Sequence, residues 1–405
     1  MKYIVILGDG MADYPVPELN GKTPLQCANK PNIDNLARNG IVGMVRTVPE
    51  GIPPGSDTAN LSVMGYDPRV YYTGRSPLEA ESMGVTMKDS DVSYRCNLVT
   101  LSDEQKYSDK TMIDYSSDEI SSDEAKEIIN EINKYFENGE IKFYPGISYR
   151  HCMVWNKGKM GLKLTPPHDI LGKKVGAYLP EGDGSSVLLD MMVKSYEILK
   201  NNPVNLSRIK RGLRPANSIW LWGEGKKPSL PEFFSKYKVK GSVISAVDLI
   251  KGIGLCAGMK CIDVEGATGN IHTNFKGKAQ AALDELASGR DFVYVHIEAP
   301  DECGHRHQVN EKIRSIELID QLVVKPILEE MEKYDDYKIM VLPDHPTPLQ
   351  LRTHTSDPVP FVIYQKSRSK PSGLESYDEI SAEKTGTYIS EGHELMGKFI
   401  SMTDF

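Results

Sequence analysis

The sequence predicts an α/β protein: a doubly wound, mostly parallel sheet with helices on both faces, plus an inserted smaller α+β domain. Three observations carry this expectation. The chain opens on the unbroken apolar run Tyr3-Ile4-Val5-Ile6-Leu7, the pattern of a strand covered on both faces. From about residue 240 onward, strand and helix patterns alternate. Between about 88 and 244 the texture differs, and 405 residues exceed a single core, which stops growing near roughly 250–300 residues. The expected division is residues 1–87 with 245–405 as the sheet domain and 88–244 as the insert.

The elements follow in order. The first strand ends at Gly8-Asp9-Gly10, and a helix is expected from about Asn32 to Asn39-Gly40, where the Asn-Gly pair stops it. A Gly/Pro-rich loop over 49–57 then leads into a helix over 58–64. Within the insert, strands are expected over 94–101 and 142–145, a charged helix over 122–138, and a short aromatic strand over 219–222 after the basic stretch 201–215. The βα pattern resumes with strands over 243–246, 259–264, 291–297, 337–342 and 359–364, and helices over 277–288 and about 313–333.

Composition excludes several function classes. Lys and Arg number 48 against 56 Asp and Glu, a net charge of −8, and nucleic-acid binding needs a concentrated basic face. The 40% hydrophobic and 26% charged content is that of an ordinary globular chain rather than a disordered one. No apolar run approaches the ~20 residues that span a bilayer, and the opening MKYIVILGDGMAD lacks the form of a signal peptide, so a cytoplasmic protein is expected. The six cysteines form no C-x-x-C pair and read as reduced, buried thiols. No motif speaks to oligomeric state.

Ligands of an open α/β sheet bind outside the carboxyl ends of the strands. The polar residues that follow predicted strands are Asp9, then Asp301 and His305 in EAPDECGH, then Asp344 and His345 in PDH. His354 in THTSDP lies just before the last strand. Carboxylates and imidazoles converging on one edge suit a divalent ion such as Mn²⁺ or Zn²⁺. Six candidates are too many for one tetrahedral site and about right for two ions roughly 4 Å apart. Singly, each has a plainer explanation: a strand-end Asp is commonly a turn residue, and Asp301-x-x-x-His305 can share a helical face with no metal. Ser56 in PGSDTAN opens a helix, where free N–H groups favour a phosphate; it is a nucleophile candidate or simply the helix cap. His151, His168, His272, His296, His307 and His393 read, as a group, as core or surface residues.

The chain resembles the archaeal-type cofactor-independent phosphoglycerate mutases of the alkaline phosphatase superfamily. The likeness rests on LGDGMAD, GKTPLQCANKPNIDNLARNG, PPGSDTANLSVMGYDPRVYYTGRSPLEA, GATGNIHTNFKGKAQAAL, HIEAPDECGH, PDH and THTSDPVP, in that order along essentially the whole chain. It implies an alkaline-phosphatase-like core with two divalent ions, Mn²⁺ being expected and Mg²⁺, Zn²⁺ or Co²⁺ the alternatives, and no bisphosphoglycerate. Asp301, His305 and His354 are implied as ligands of one ion. Asp9, Ser56, Asp344 and His345 are implied for the other, with Ser56 the residue that is phosphorylated. Basic residues of the insert are implied to hold the substrate, with Arg150, His151, Arg214, Lys260 and Arg75 the candidates. The implied reaction interconverts 3-phosphoglycerate and 2-phosphoglycerate. Two stretches depart from the family pattern: Gly8 precedes Asp9 where many members have Leu, and residues 114–120 stand where archaeal mutases commonly carry a Gly-His or Gly-Arg element. A homoserine-kinase-like phosphotransferase or a metal-dependent phosphatase would share the same ion and serine set, and a non-catalytic phosphate binder would share the scaffold.

Overall fold

The strand Lys2–Gly8, buried from Ile4 onward, lies within an eight-stranded sheet of the computed structural model, which describes residues 1–403. From edge to edge the sheet runs Tyr388–Ile389, Ile41–Val45, Val359–Gln365, Tyr337–Leu342, Lys2–Gly8, Phe292–Ile297, Gly241–Ile244, Lys260–Ile262. Every neighbouring pair is parallel except the two made by Val359–Gln365, which runs against both of its partners. Strand side chains alternate between faces. Ile4 and Ile6 therefore pack with Leu36, Ala282 and Ile316 of the helices Pro31–Asn39, Phe275–Ala287 and Val309–Ile319. Tyr3, on the other face, meets Phe399 of the helix Leu395–Ser401. The sheet is thus covered on both sides, as its continuous apolar strands require.

The chain divides into two units, one of Met1–Tyr72 with Ser229 onward and one of Thr73–Pro228. These boundaries differ from the expected 88 and 244, for local reasons. The helix Ser76–Ser82 packs on the strands Asp91–Leu101 and Ser218–Lys226, so it belongs with the insert. Gly241–Ile244 pairs with Phe292–Ile297, so it belongs with the parallel sheet. In the second unit, Asp91–Leu101 is the central strand of an antiparallel sheet, flanked by Arg150–Asn156 and Ser218–Lys226. The helices Ser122–Phe136 and Ser185–Leu199 add Ile128, Ile132, Leu188 and Met192 to its core.

The helix expected over 313–333 is interrupted. Val309–Ile319 passes into a π-helical turn, Asp320–Val324, before Lys325–Met331. Pro326 explains the widening, because it has no N–H to donate and its ring crowds the carbonyl four residues back. The turn aims the buried Asp320 carboxylate at Asn32 Nδ2 and the Ile33 N–H, both at 2.7 Å. That caps the helix Pro31–Asn39, whose own N-cap, Lys30, makes no side-chain cap. All six cysteines are free.

Candidate active site

The carboxyl ends of three adjacent parallel strands deliver the acidic residues. Asp9 follows Lys2–Gly8 and is tied to its neighbour by its N–H on the Ile297 carbonyl at 2.9 Å. Asp301 lies in the short helix Ala299–His305 after Phe292–Ile297, and Asp344 and His345 follow Tyr337–Leu342. Asp9, Asp301, Asp344 and His345 are all at most 5% exposed, whereas His305 and His354 are partly open to solvent. Asp9, Asp301 and His345 bring ligand-type atoms within 4.8 Å of one another, as do Asp301, His305 and His354.

Hydrogen bonds fix which imidazole nitrogen faces the cluster. Thr347 Oγ1 donates to Asp301 Oδ1, so at 3.3 Å it must accept from His345 Nδ1–H. His345 Nε2 is left without a proton, 3.2 Å from Ser56 Oγ and 3.5 Å from both Asp9 Oδ1 and Asp344 Oδ2. His305 repeats the pattern. Its Nδ1 can only donate to the Arg352 carbonyl at 3.0 Å, which turns Nε2 toward Asp301 Oδ2 at 3.2 Å and His354 Nε2 at 2.9 Å. Asp9 Oδ1 is buried and accepts no hydrogen bond from the described residues. A lone pair facing carboxylate oxygens, as at His345 Nε2, and a buried carboxylate oxygen with no donor are what a cation resolves. The residues present therefore fit divalent ions.

The charges point the same way. Burial, then Asp344 and Asp301, raise the Asp9 carboxyl well above its ordinary value. Burial also acts upward on Asp301, but hydrogen bonds from His305 and His354 overcome it and hold that carboxyl well below the usual range. The hydrogen bond to Asp301 in turn lifts His305 to about 9 against the opposing effect of burial. Burial lowers His345.

Ser56 is the first residue of the helix Ser56–Val63, and Gly55, not Ser56, is the N-cap. The serine hydroxyl is thus not spent on capping. Asn60, one turn on, donates from Nδ2 to the Ser56 carbonyl and to Asp344 Oδ2, both at 2.8 Å, while Tyr294 donates to Asn60 Oδ1 at 2.7 Å. Tyr294, Asn60 and Asp344 form a buried chain that sets the helix start against the acidic cluster.

The basic candidates fare differently. Lys260 begins its strand opposite Ser242, at the amino ends of the parallel strands, and forms an ion pair with Glu285 at 2.7 Å. It sits at the edge of the sheet opposite Asp9, which removes it from the site. His151 is buried in the second unit, accepts the Gly146 N–H at 3.0 Å, and is pushed by burial to about 3, so it offers no positive charge. The Arg214 guanidinium is engaged by Asp114 at 2.9 Å and Asp118 at 3.5 Å. Arg150 is exposed and lies over the Tyr149 ring at 4.6 Å. Arg75 is half-buried at the start of the helix Ser76–Ser82.

Several residues escaped sequence reasoning. Arg95 stacks on Trp222 at 4.1 Å and pairs with Glu79 at 3.0 Å. His168 stands edge-on to Trp222 at 5.5 Å, held low by burial and by the charges of Arg95 and Arg75 against Asp169. Arg95 is paired with Trp222, and Arg150 with Asn97 two residues further along the same strand, which puts the three on one face of the second unit's sheet. In the sheet unit, His296 lies 3.0 Å from Asp9 Oδ2, with Asp344 in the same cluster. A polar residue inside the otherwise apolar strand FVYVHI was the available signal.

Known proteins share this arrangement of chain. Residues 37–205 match the family model described as 2,3-bisphosphoglycerate-independent phosphoglycerate mutase. A Geobacter sulfurreducens protein described as a probable enzyme of that name is 52% identical, covering 98% of both chains. A Methanothrix thermoacetophila mutase is 50% identical over 99% of this chain and 100% of its own. Among solved structures, a Pyrococcus horikoshii protein superposes with a TM-score of 0.83 at 30% identity, covering 100% of this chain and 98% of its own. A cofactor-independent phosphoglycerate mutase from Thermoplasma acidophilum superposes with a TM-score of 0.69 at 28% identity, covering 100% of both chains.

Proposed function

The chain belongs to the 2,3-bisphosphoglycerate-independent phosphoglycerate mutase family, and from that premise we propose that Ser56 carries the phosphoryl group between the two hydroxyls of glycerate. Asp301, His305 and His354 would hold one divalent ion, and Asp9, Asp344, His345 and Ser56 the other, with Mn²⁺ the expected metal. Bound there, the ions would supply positive charge to the transferring phosphoryl oxygens and favour the ionised serine.

The remaining chemistry belongs to the chain. Ser56 Oγ gives up its proton and attacks the phosphorus of 3-phosphoglycerate, the bond from phosphorus to the 3-oxygen breaks, and that oxygen takes up the one proton the serine released. The 2-hydroxyl of the retained glycerate then gives up its proton and attacks phosphoserine, the bond from phosphorus to Ser56 Oγ breaks, and that oxygen takes the proton back with 2-phosphoglycerate formed. The unprotonated His345 Nε2 and Ser56 Oγ lie 3.2 Å apart, so both face the same carboxylate cluster and both can serve one ion there. The N–H groups at the start of the helix Ser56–Val63 add partial positive charge where the phosphoryl group arrives. In the second unit, Arg95 stacked on Trp222 and Arg150 over Tyr149 make a cationic and aromatic face suited to an anionic group.

One observation carries this reading: a helix-initial serine, not used as a cap, faces an unprotonated imidazole nitrogen where two carboxylates meet. The test is conversion of 3-phosphoglycerate to 2-phosphoglycerate with Mn²⁺ and no bisphosphoglycerate, in the wild type and in Ser56→Ala. The wild type turns over and the variant loses at least about a thousandfold in kcat, the scale of losing a covalent nucleophile. Full activity in Ser56→Ala would overturn the proposal.

A further inference from the structure

His296 is completely buried, one residue before the carboxyl end of the strand pairing, and the ions and the serine proposed above give it no task. Its Nε2 is 3.0 Å from Asp9 Oδ2 and its Nδ1 is 3.2 Å from Ser245 Oγ. Two roles are open to such a residue: a direct ligand, since Asp9, His296 and Asp344 bring their atoms within 4.8 Å, or a donor that orients Asp9.

The Ser245 hydroxyl decides between them. Ser245 is buried, and its oxygen already accepts the Val247 N–H at 3.0 Å. Its own proton needs an acceptor, and His296 Nδ1 is the one within reach among the described residues. With Nδ1 accepting, the ring proton must sit on Nε2, which then donates to Asp9 Oδ2. In the opposite tautomer the serine proton would have no partner and the Nε2 lone pair would face a carboxylate oxygen, two buried mismatches at once. The backbone keeps the ring in place: Lys278 Nζ, itself buried, donates to the His296 carbonyl at 3.0 Å.

We propose that His296 is a positioning residue: its Nε2–H, fixed in that tautomer by Ser245, holds one oxygen of Asp9 so that the other faces the ion. The two Asp9 oxygens are correspondingly unlike, Oδ2 facing a donor and Oδ1 accepting no hydrogen bond. Outer-sphere partners of this kind orient a ligand and set affinity without touching the metal. The inference rests on the ion site proposed for Asp9, Asp344 and His345.

The experiment measures Mn²⁺ binding to the full chain by the spin-resonance signal of free ion, for the wild type, His296→Ala, His296→Gln and Ser245→Ala. Pulsed detection of nitrogen couplings is run on the loaded proteins, and apo melting temperatures are recorded. The wild type binds two ions. His296→Ala weakens one of them by about 10–100-fold and leaves the other unchanged, the range found for lost outer-sphere partners. His296→Gln, whose amide N–H reaches the same oxygen, recovers most of the loss, and Ser245→Ala lies between the wild type and His296→Ala. Nitrogen couplings are the same in the wild type and His296→Gln. Unchanged affinity in His296→Ala, or equal losses in the Gln and Ala variants with wild-type melting, would overturn the proposal. A nitrogen coupling that disappears in His296→Gln would make His296 a ligand and overturn it as well. A wild type that binds no Mn²⁺ would instead refute the ion site itself.

Discussion

Replacing Lys312 by Met should cost more stability than any other single polar change in the sheet unit. Lys312 and Asp13 are both fully buried and 2.7 Å apart. The ammonium also donates to the Thr347 carbonyl at 2.8 Å and to the Ala12 carbonyl at 3.4 Å. Asp13 for its part accepts the Tyr14 N–H at 2.8 Å and the Leu349 N–H at 3.2 Å. One ion pair thus clamps the loop carrying Asp9 to the loop carrying Asp344 and His345. Methionine fills nearly the same volume, so the loss is electrostatic: a buried carboxylate without its counter-charge and the Thr347 carbonyl without its ammonium donor.

Removing one partner of a buried pair costs about 3–5 kcal/mol. For a unit of this size that is a fall of roughly 6–20 °C in melting temperature, at roughly 2–4 °C per kcal/mol. Urea and thermal unfolding of the metal-free protein give the single-variant cost, and Asp13→Asn with the double variant closes a double-mutant cycle. The double variant should be less destabilised than the two singles summed, because it leaves no isolated charge. Mn²⁺ affinity should fall in Lys312→Met, since both ligand-bearing loops lose their shared anchor. A Lys312→Met protein within about 1 kcal/mol of the wild type would refute the reasoning, as would additive singles.

Gly10→Ala should abolish Mn²⁺ binding, because Gly10 has φ +62° and a Cβ there would stand 2.5 Å from Thr347 Oγ1 and 2.8 Å from the Asp301 backbone; a binding titration with a normal isotherm would contradict this. Burial lifts the Glu379 carboxyl to about 7 against hydrogen bonds from Thr23 and the Asp13 N–H. The folded state then holds a proton that the unfolded chain has released between about pH 4.5 and 7, so stability falls as pH rises through that window. Glu379→Gln should flatten this slope in unfolding measured from pH 5 to 8, and an identical slope would remove Glu379 as its source. Arg95→Leu should raise KM for 3-phosphoglycerate by about 10–100-fold, the loss of a charge-assisted contact of about 1.5–3 kcal/mol, with a smaller effect on kcat; an unchanged KM in steady-state assays would exclude Arg95 from the substrate's anionic groups.

Much of the sheet was legible because burial on both faces writes itself into sequence as continuous apolar runs. YIVIL, FVYVHI and YKIMVL each became a parallel strand. Ile41–Val45 was missed since Gly43 breaks its run, and the glycine is there because a Cβ would meet the Thr387 carbonyl at 2.7 Å. The insert boundaries slipped by 15 residues at one end and 16 at the other, from 88 to 73 and from 244 to 228. Helix Ser76–Ser82 has no composition of its own that assigns it to one unit; only its packing does. Within the site, polar residues directly after strands could be read because topology alone carries them to one edge. Thr347, Asn60, Tyr294 and Ser245 could not, since each acts by a hydrogen bond to a residue distant in sequence.

Those unreadable partners explain how an acidic chain can be built to take an anionic substrate. Asp9, Asp301 and Asp344 share one buried edge, and their carboxyls are driven apart: burial and the neighbouring carboxylates push Asp9 upward, while hydrogen bonds from two imidazoles outweigh burial and hold Asp301 low. A cluster of this kind relaxes by taking up protons or cations. Thr347 and the Arg352 carbonyl turn Nε2 of His345 and of His305 toward the carboxylates, where without metal His305 donates a proton to Asp301 and burial keeps His345 bare. A divalent ion satisfies several of these groups at once, and two such ions reverse the local sign of charge against the overall −8. The outer-sphere hydrogen bonds therefore do more than steady the ligands. By fixing which nitrogen carries the proton, they leave the cluster short of positive charge until metal arrives, and the same charge then faces the phosphoryl group that Ser56 is set to receive.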